Sequence, residues 1–129
     1  MGHGRFCTAI NCMDGRTQRP VIEYLEKRFG VEYVDSITEP GPVRVLAEGQ
    51  PIPQFDSIMA RLRISLDKHG SVGVAVVAHD DCAGNPLLKD QQLVQLRAAV
   101  ACLRTRCPNV PVIGLWVGEN WKAEELPTS

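Results

Sequence analysis

Apolar residues follow two alternating rhythms along this chain. Short apolar or alternating runs, the β rhythm, occur at residues 6–11, in "EYVDSI" at 32–37, from Val72 to Ala78, and in "VPVIGLWV" at 110–117. Between them the spacing becomes helical. Val21, Ile22, Leu25 and Phe29 recur on one face until Gly30 supplies a stop. Phe55, Ile58, Met59, Leu62 and Leu66 form a second face that ends at Gly70. Leu93, Leu96, Val100 and Leu103 mark a third helix, halted by Pro108. "EPGP" at 39–42 ends the second strand and "QPIPQ" at 50–54 prepares the second helix. No repeat, low-complexity tract or linker interrupts the pattern, so residues 1–129 are expected to form one domain.

Strands alternating with helices predict an α/β fold of three layers: a mostly parallel four-stranded sheet with helices on both faces. The order of the strands follows from their composition. Pro111 cannot donate a ladder hydrogen bond, which suits an edge, and Asp35 with Ser36 makes the second strand a poor centre. Strands one and three are left central. The order 2-1-3-4 meets these demands with right-handed crossovers and sets the switch point between strands one and three, where ligands bind at the carboxyl ends. Two polar clusters follow those strands, "NCMDGR" at 11–16 and "AHDDCAG" at 78–84. They should therefore face each other across one crevice.

Composition narrows the partners. With 14 basic against 15 acidic side chains and a net charge of −1, no global field favours nucleic acid or an anionic membrane surface. No apolar run approaches membrane-spanning length, and "MGHGRFCTAI" carries neither a signal core nor a myristoylation motif. A cytoplasmic protein is the expectation. Five cysteines in an aliphatic-rich chain of 129 residues point to reduced thiols rather than a disulfide framework.

Some of those thiols are then free to bind metal. Cys12, His79 and Cys82 offer two thiolates and an imidazole, a donor set suited to Zn²⁺ rather than Mg²⁺ or Ca²⁺. Three protein ligands leave a fourth position for water or for Asp14. An open position on zinc lowers the pKa of bound water to about 7, giving a nucleophile at neutral pH. Arg16, two residues beyond Asp14, can hold that carboxylate in a bidentate contact, so Asp14 has two candidate roles: metal ligand when unpaired, hydrogen-bond acceptor when paired.

The other cysteines do not fit the cluster. Cys7 precedes Cys12 by five strand residues, roughly 16 Å at about 3.3 Å per residue. Cys102 and Cys107, five apart on a helix, point about 140° away from each other. Asp80 and Asp81 could be solvated loop residues, acceptors behind the ligands or a proton relay, with the first two favoured; His3 and His69 read as exposed, and Trp116 and Trp121 as packing residues. A Cys-x₅-Arg phosphatase loop starting at Cys12 fails on register, because position 18 is Gln and the arginines stand at 16 and 19.

Cys-x-Asp-x-Arg after strand one and His-x-x-Cys after strand three of a parallel α/β sheet resemble the β-class carbonic anhydrases, over roughly residues 6–118. The chain reads as a short, divergent member. Gly15 stands where the family commonly has Ser, and "EPGPVRVLAEG" at 39–49 replaces an Arg-Asn-Ala-Gly type segment, with Arg44 displaced. The resemblance implies zinc on Cys12, His79 and Cys82, a catalytic dyad of Asp14 and Arg16, reversible hydration of CO₂ to bicarbonate by zinc-bound hydroxide, and a homodimer or higher homo-oligomer. The same residues would also suit a zinc hydrolase of carbonyl sulfide or carbon disulfide, or a non-catalytic zinc module with Asp14 as permanent fourth ligand.

Overall fold

A computed structural model of the protein describes residues 4–127, so His3 lies outside the described residues. Its elements are β1 (Phe6–Cys12), a 3₁₀ turn (Gly15–Thr17), α1 (Gln18–Phe29), β2 (Tyr33–Glu39), α2 (Pro42–Glu48), α3 (Ile52–Lys68), β3 (Val74–His79), α4 (Lys89–Arg106), β4 (Val112–Val117) and β5 (Ala123–Glu125). The sheet order is β2-β1-β3-β4-β5. The first four strands are parallel in the expected order, and β5 adds an antiparallel edge. The expectation of four strands is thus corrected to five. "AEE" carries no apolar run, and β5 is held by pairing with β4 and by side chains rather than by burial. Pro111 accordingly precedes an interior strand, where its carbonyl accepts from Val74 N–H at 3.0 Å.

Alternation along the strands sorts the core into two halves. Ile10, Val74, Val76, Ala78, Val112 and Trp116 pack on one face against Val43 and Leu46 of α2, Ile58 and Leu62 of α3, and Leu96, Val100 and Leu103 of α4. Cys7, Ala9, Ala75, Val77, Ile113, Leu115 and Val117 pack on the other against Val21 and Leu25 of α1. Helices therefore cover both faces, and they change sides between β1 and β3 as the order requires.

Helix α2 is absent from the hydrophobic pattern because seven residues span fewer than two turns. Its ends are nonetheless marked: Pro42 opens it, and Gly49, in the left-handed region at φ 68°, closes it. Gly41 before it and Gly84 after β3 meet backbone to backbone. A Cβ on Gly84 would lie 2.7 Å from the Pro40 carbonyl carbon, so the loops leaving β2 and β3 touch as only glycine allows.

His69 differs from its expected exposure. Its ring stacks on Phe6 at 4.2 Å between centroids, and Nδ1 lies 2.6 Å from Asp35 Oδ2, which leaves the side chain about one-third exposed. Asp35 also accepts from Ser65, whose hydroxyl contacts buried Thr8. Asp35, one of the polar residues that mark β2 as an edge, is thus satisfied from α3 and its C-cap.

Edge strand β5 is fixed through Glu125, whose carboxylate accepts from Tyr24 Oη at 2.6 Å and Arg28 Nε at 2.8 Å, both on α1. Burial disfavours the Glu125 charge, but the hydrogen bonds from Arg28 and Tyr24 outweigh it and hold the carboxyl below its ordinary 4.5. A depressed folded value means the contribution is complete above pH 4.5 and disappears as pH falls through the lower folded value. Glu125→Gln is expected to lower stability by no more than about 1 kcal/mol at pH 7. Urea titrations at pH 7 and at pH 3 would measure this; an equal loss at both values would refute the assigned charge.

Candidate metal centre

The parallel pairing of Ile10 with Val76 sets the carboxyl ends of β1 and β3 side by side. Cys12 is the last residue of β1, His79 the last of β3, and Cys82 follows three positions later in the loop. One ligand atom from each lies within 4.8 Å of the other two, and all three residues are buried, none more than 4 % exposed.

Their hydrogen bonds prepare them as donors. His79 Nδ1 lies 2.7 Å from the Asp80 carbonyl, which can only accept, so Nδ1 carries the proton and Nε2 presents its lone pair. Nε2 is buried without a hydrogen-bond partner. The backbone N–H groups of Gly41 and Asp14 favour the Cys12 thiolate, and those of Gly84 and Asn85 the Cys82 thiolate; the Asn85 N–H donates to the Cys82 carbonyl at 3.3 Å. Buried Gln92 completes the support, with Nε2 donating to the His79 carbonyl at 3.0 Å and the Leu87 carbonyl at 3.1 Å.

These groups fit a zinc ion. A tetrahedral zinc with bonds of about 2.3 Å to each sulfur sets the two sulfurs about 3.8 Å apart. Cys12 Sγ and Cys82 Sγ are 3.8 Å apart. Without a metal the pair shares a proton: the hydrogen bond from Cys82 carries the Cys12 thiol down to about 4 despite burial, and the same bond pushes Cys82 up. For His79, burial opposes the charge, and the attraction of Cys12, with the Asp80 carbonyl, more than offsets it and raises the pKa. Nε2 is not within hydrogen-bond reach of either sulfur, so that attraction acts across the cluster rather than through a formed bond.

Asp14 and Arg16 stand beside this trio and apart from it. Arg16 Nε donates to Asp14 Oδ1 at 3.0 Å and Nη2 to Oδ2 at 2.7 Å, a bidentate fork, while the Arg16 backbone N–H adds a bond to Oδ1 at 2.9 Å. The Arg16 hydrogen bonds hold the Asp14 carboxyl down to about 2 against a small burial penalty. Of the two roles open to Asp14 in the sequence, the structure shows the paired one.

Two further residues meet Arg16. Asp81 accepts from Nη1 through Oδ2 at 3.3 Å and from Nη2 through its carbonyl at 3.2 Å. The Trp121 ring lies under the guanidinium, 4.2 Å from its carbon to the ring centroid. Asp81 thus accepts from Arg16, and Trp121 packs against the same guanidinium. A signal for Trp121 was present: β4 runs parallel to β1 and β3, so the turn "GENW" after Val117 has to emerge at the same end of the sheet.

The remaining thiols stand apart. Burial pushes Cys7 up to about 11 and also raises Cys107. Cys102 is part-exposed, and none of the three joins the cluster. Trp116 is core, and Arg44 pairs with Glu48 one helical turn on, away from the dyad.

Comparison with known proteins gives the same outline. No curated protein matches the sequence significantly. Among solved structures, a chain from the work on two tetrameric β-carbonic anhydrases of Sordaria macrospora superposes with a TM-score of 0.65 at 10 % identity, over 95 % of this chain and 80 % of that one. A carbonic anhydrase from Glaciozyma antarctica gives 0.60 at 15 % identity, over 92 % and 80 %. A β-carbonic anhydrase from Aspergillus fumigatus gives 0.53 at 16 % identity, over 98 % and 77 %. At such identities the likeness concerns the fold. The sequence family described as "Putative carbonic anhydrase" matches residues 2–127 of the 129, spanning both polar clusters, and it is to this family that the chain belongs.

Proposed function

We propose that this chain is a single-domain, zinc-dependent enzyme that hydrates CO₂ reversibly to bicarbonate. The observation that carries the reading is the pairing of a buried three-donor cluster with a carboxylate withheld from it by an arginine fork. Cys12, His79 and Cys82 would hold the ion. Zinc bound there supplies Lewis-acid activation of water.

The chain's own residues supply the rest. Asp14, kept ionised by Arg16, is an acceptor only, so it can orient a proton of the nucleophile but has none to give. Arg16 occupies both carboxylate oxygens and keeps them from closing the fourth position.

Self-association belongs to the same proposal. The Sordaria relatives are tetrameric, and Met13 and Leu88, in the loops flanking the cluster, are 62 % and 77 % exposed. A second copy of the chain is the proposed cover. Sedimentation at micromolar concentration should show a dimer or larger species, and a monomer that still hydrates CO₂ would show that one chain completes the site.

Metal content tests the ligands. Purified protein is expected to carry one zinc per chain, Cys82→Ser to lose most of it, and Cys102→Ser to retain it. Equal zinc in wild type and Cys82→Ser would remove Cys82 from the ligand set.

Catalysis is tested by stopped-flow CO₂ hydration on zinc-loaded protein. Arg16→Ala should keep its zinc while activity falls at least tenfold, the scale of a lost positioned group. Full activity in this variant would refute the dyad. A folded, zinc-loaded wild type inactive toward CO₂ would favour carbonyl sulfide or carbon disulfide as substrate if it hydrolyses them, and a non-catalytic zinc module if it does not.

A further inference from the structure

The Asp14–Arg16 fork joins residues two apart in one loop, where the Arg16 backbone N–H donates to Asp14 Oδ1 at 2.9 Å and Gln18 Nε2 bridges the Cys12 and Asp14 carbonyls at 2.8 and 2.9 Å. These bonds hold the Asp14 end, whereas the Arg16 side chain is 46 % exposed. What fixes the guanidinium comes from two other loops. Asp81, between the ligands His79 and Cys82, takes two guanidinium N–H groups in the plane of Arg16, and Trp121, on the turn between β4 and β5, covers its flat face. The Trp121 ring also lies 6.2 Å from the His79 ring. Both loops are thereby referenced to the ligand cluster.

The backbone marks the same two residues. Among the described residues, Asp81 at φ 56° and Trp121 at φ 55° are the two non-glycine positions with positive φ. A bulky side chain rarely adopts that region, and such conformations persist where surrounding structure imposes them. Both flank one guanidinium. The tight turn that bends Trp121 back is closed by its N–H on the Gly118 carbonyl at 2.9 Å, and Glu125 anchors the strand beyond it to α1.

We infer that Trp121, with Asp81, is a positioning residue that clamps Arg16 and so keeps the Asp14 carboxylate off the metal position. Asp81's side-chain ion pair is long and 77 % exposed, so its carbonyl and the Trp121 ring provide most of the restraint. This inference rests on the metal reading above. With the ring removed, the guanidinium is free to leave Asp14, whose carboxylate can then reach the fourth position that a small ligand would otherwise take.

The test uses full-length protein loaded with Co²⁺, whose visible absorption reports coordination, and thiocyanate as a probe of the open position. Wild type should show sulfur-to-cobalt charge-transfer bands and a spectral change that saturates with thiocyanate. Trp121→Ala should bind Co²⁺ with intact bands but require about tenfold more thiocyanate, the size of a lost cation–π contact. Trp121→Phe, which keeps an aromatic face, should stay near wild type. The double variant Trp121→Ala with Asp14→Asn should recover wild-type thiocyanate affinity, because the competing carboxylate is gone; a merely structural loss would not be reversed this way. An unchanged affinity in Trp121→Ala, or a loss that Asp14→Asn fails to restore, overturns the clamp. Absence of sulfur-to-cobalt bands in wild type overturns the metal reading itself, a distinct result.

Discussion

The pairing of β1 with β3 is the constraint on which the rest of this structure depends. Three register pairs, Thr8 with Val74, Ala9 with Ala75 and Ile10 with Val76, decide which residues emerge together at the carboxyl end of the sheet. Because side chains alternate with a period of two, a one-residue slip would send Cys12 to the α1 face and expose half of each core. The two core halves therefore hold the register, and the register holds the ligands. Apolar burial far from the cluster, by Ile10, Val76 and Leu62 on one face and Ala9, Ala75 and Leu25 on the other, sets its geometry.

Burying three titratable groups together is expensive unless their charges are answered. Here nearby backbone N–H groups favour both thiolates, the two sulfurs lie 3.8 Å apart within reach of a shared proton, and the His79 lone pair is left without a partner. An orphaned buried nitrogen is uncommon in a native interior. The close approach of Gly41 and Gly84 belongs to the same arrangement, since the Gly41 amide favours the Cys12 thiolate and the Gly84 amide the Cys82 thiolate. The cluster is thus shaped by backbone as much as by the residues that would ligate.

Strong periodic signals were legible in the sequence. The apolar runs gave β1, β3 and β4, the helical spacing gave α1, α3 and α4, and the parallel-sheet rules brought Cys12, His79 and Cys82 to one crevice. What escaped was held by features that periodicity does not carry. Helix α2 is shorter than the window that reveals a period, and β5 owes its place to strand pairing and Glu125 rather than to hydrophobicity. His69 is drawn inward by Asp35, which sits beside it only after α3 folds back over β2. Trp121 takes a backbone conformation that its residue type does not advertise.

A gradient of exposure explains the positive φ at Asp81 and Trp121. The ligands can be fixed by packing, since each is at least 96 % buried and sits at or near a strand end. The dyad cannot. Arg16 stands at the rim, 46 % exposed, and there a lone ion pair holds geometry weakly because solvent competes for every contact. Precision at the rim has to be imported from the frame. The imported contacts come from the loops after β3 and β4, the neighbouring strands at the same end of the sheet, and each loop reaches Arg16 only by turning through a left-handed residue. The positive φ at Asp81 and Trp121 is then the structural consequence of holding the partly exposed Arg16–Asp14 pair at a fixed place beside the Cys12, His79 and Cys82 cluster.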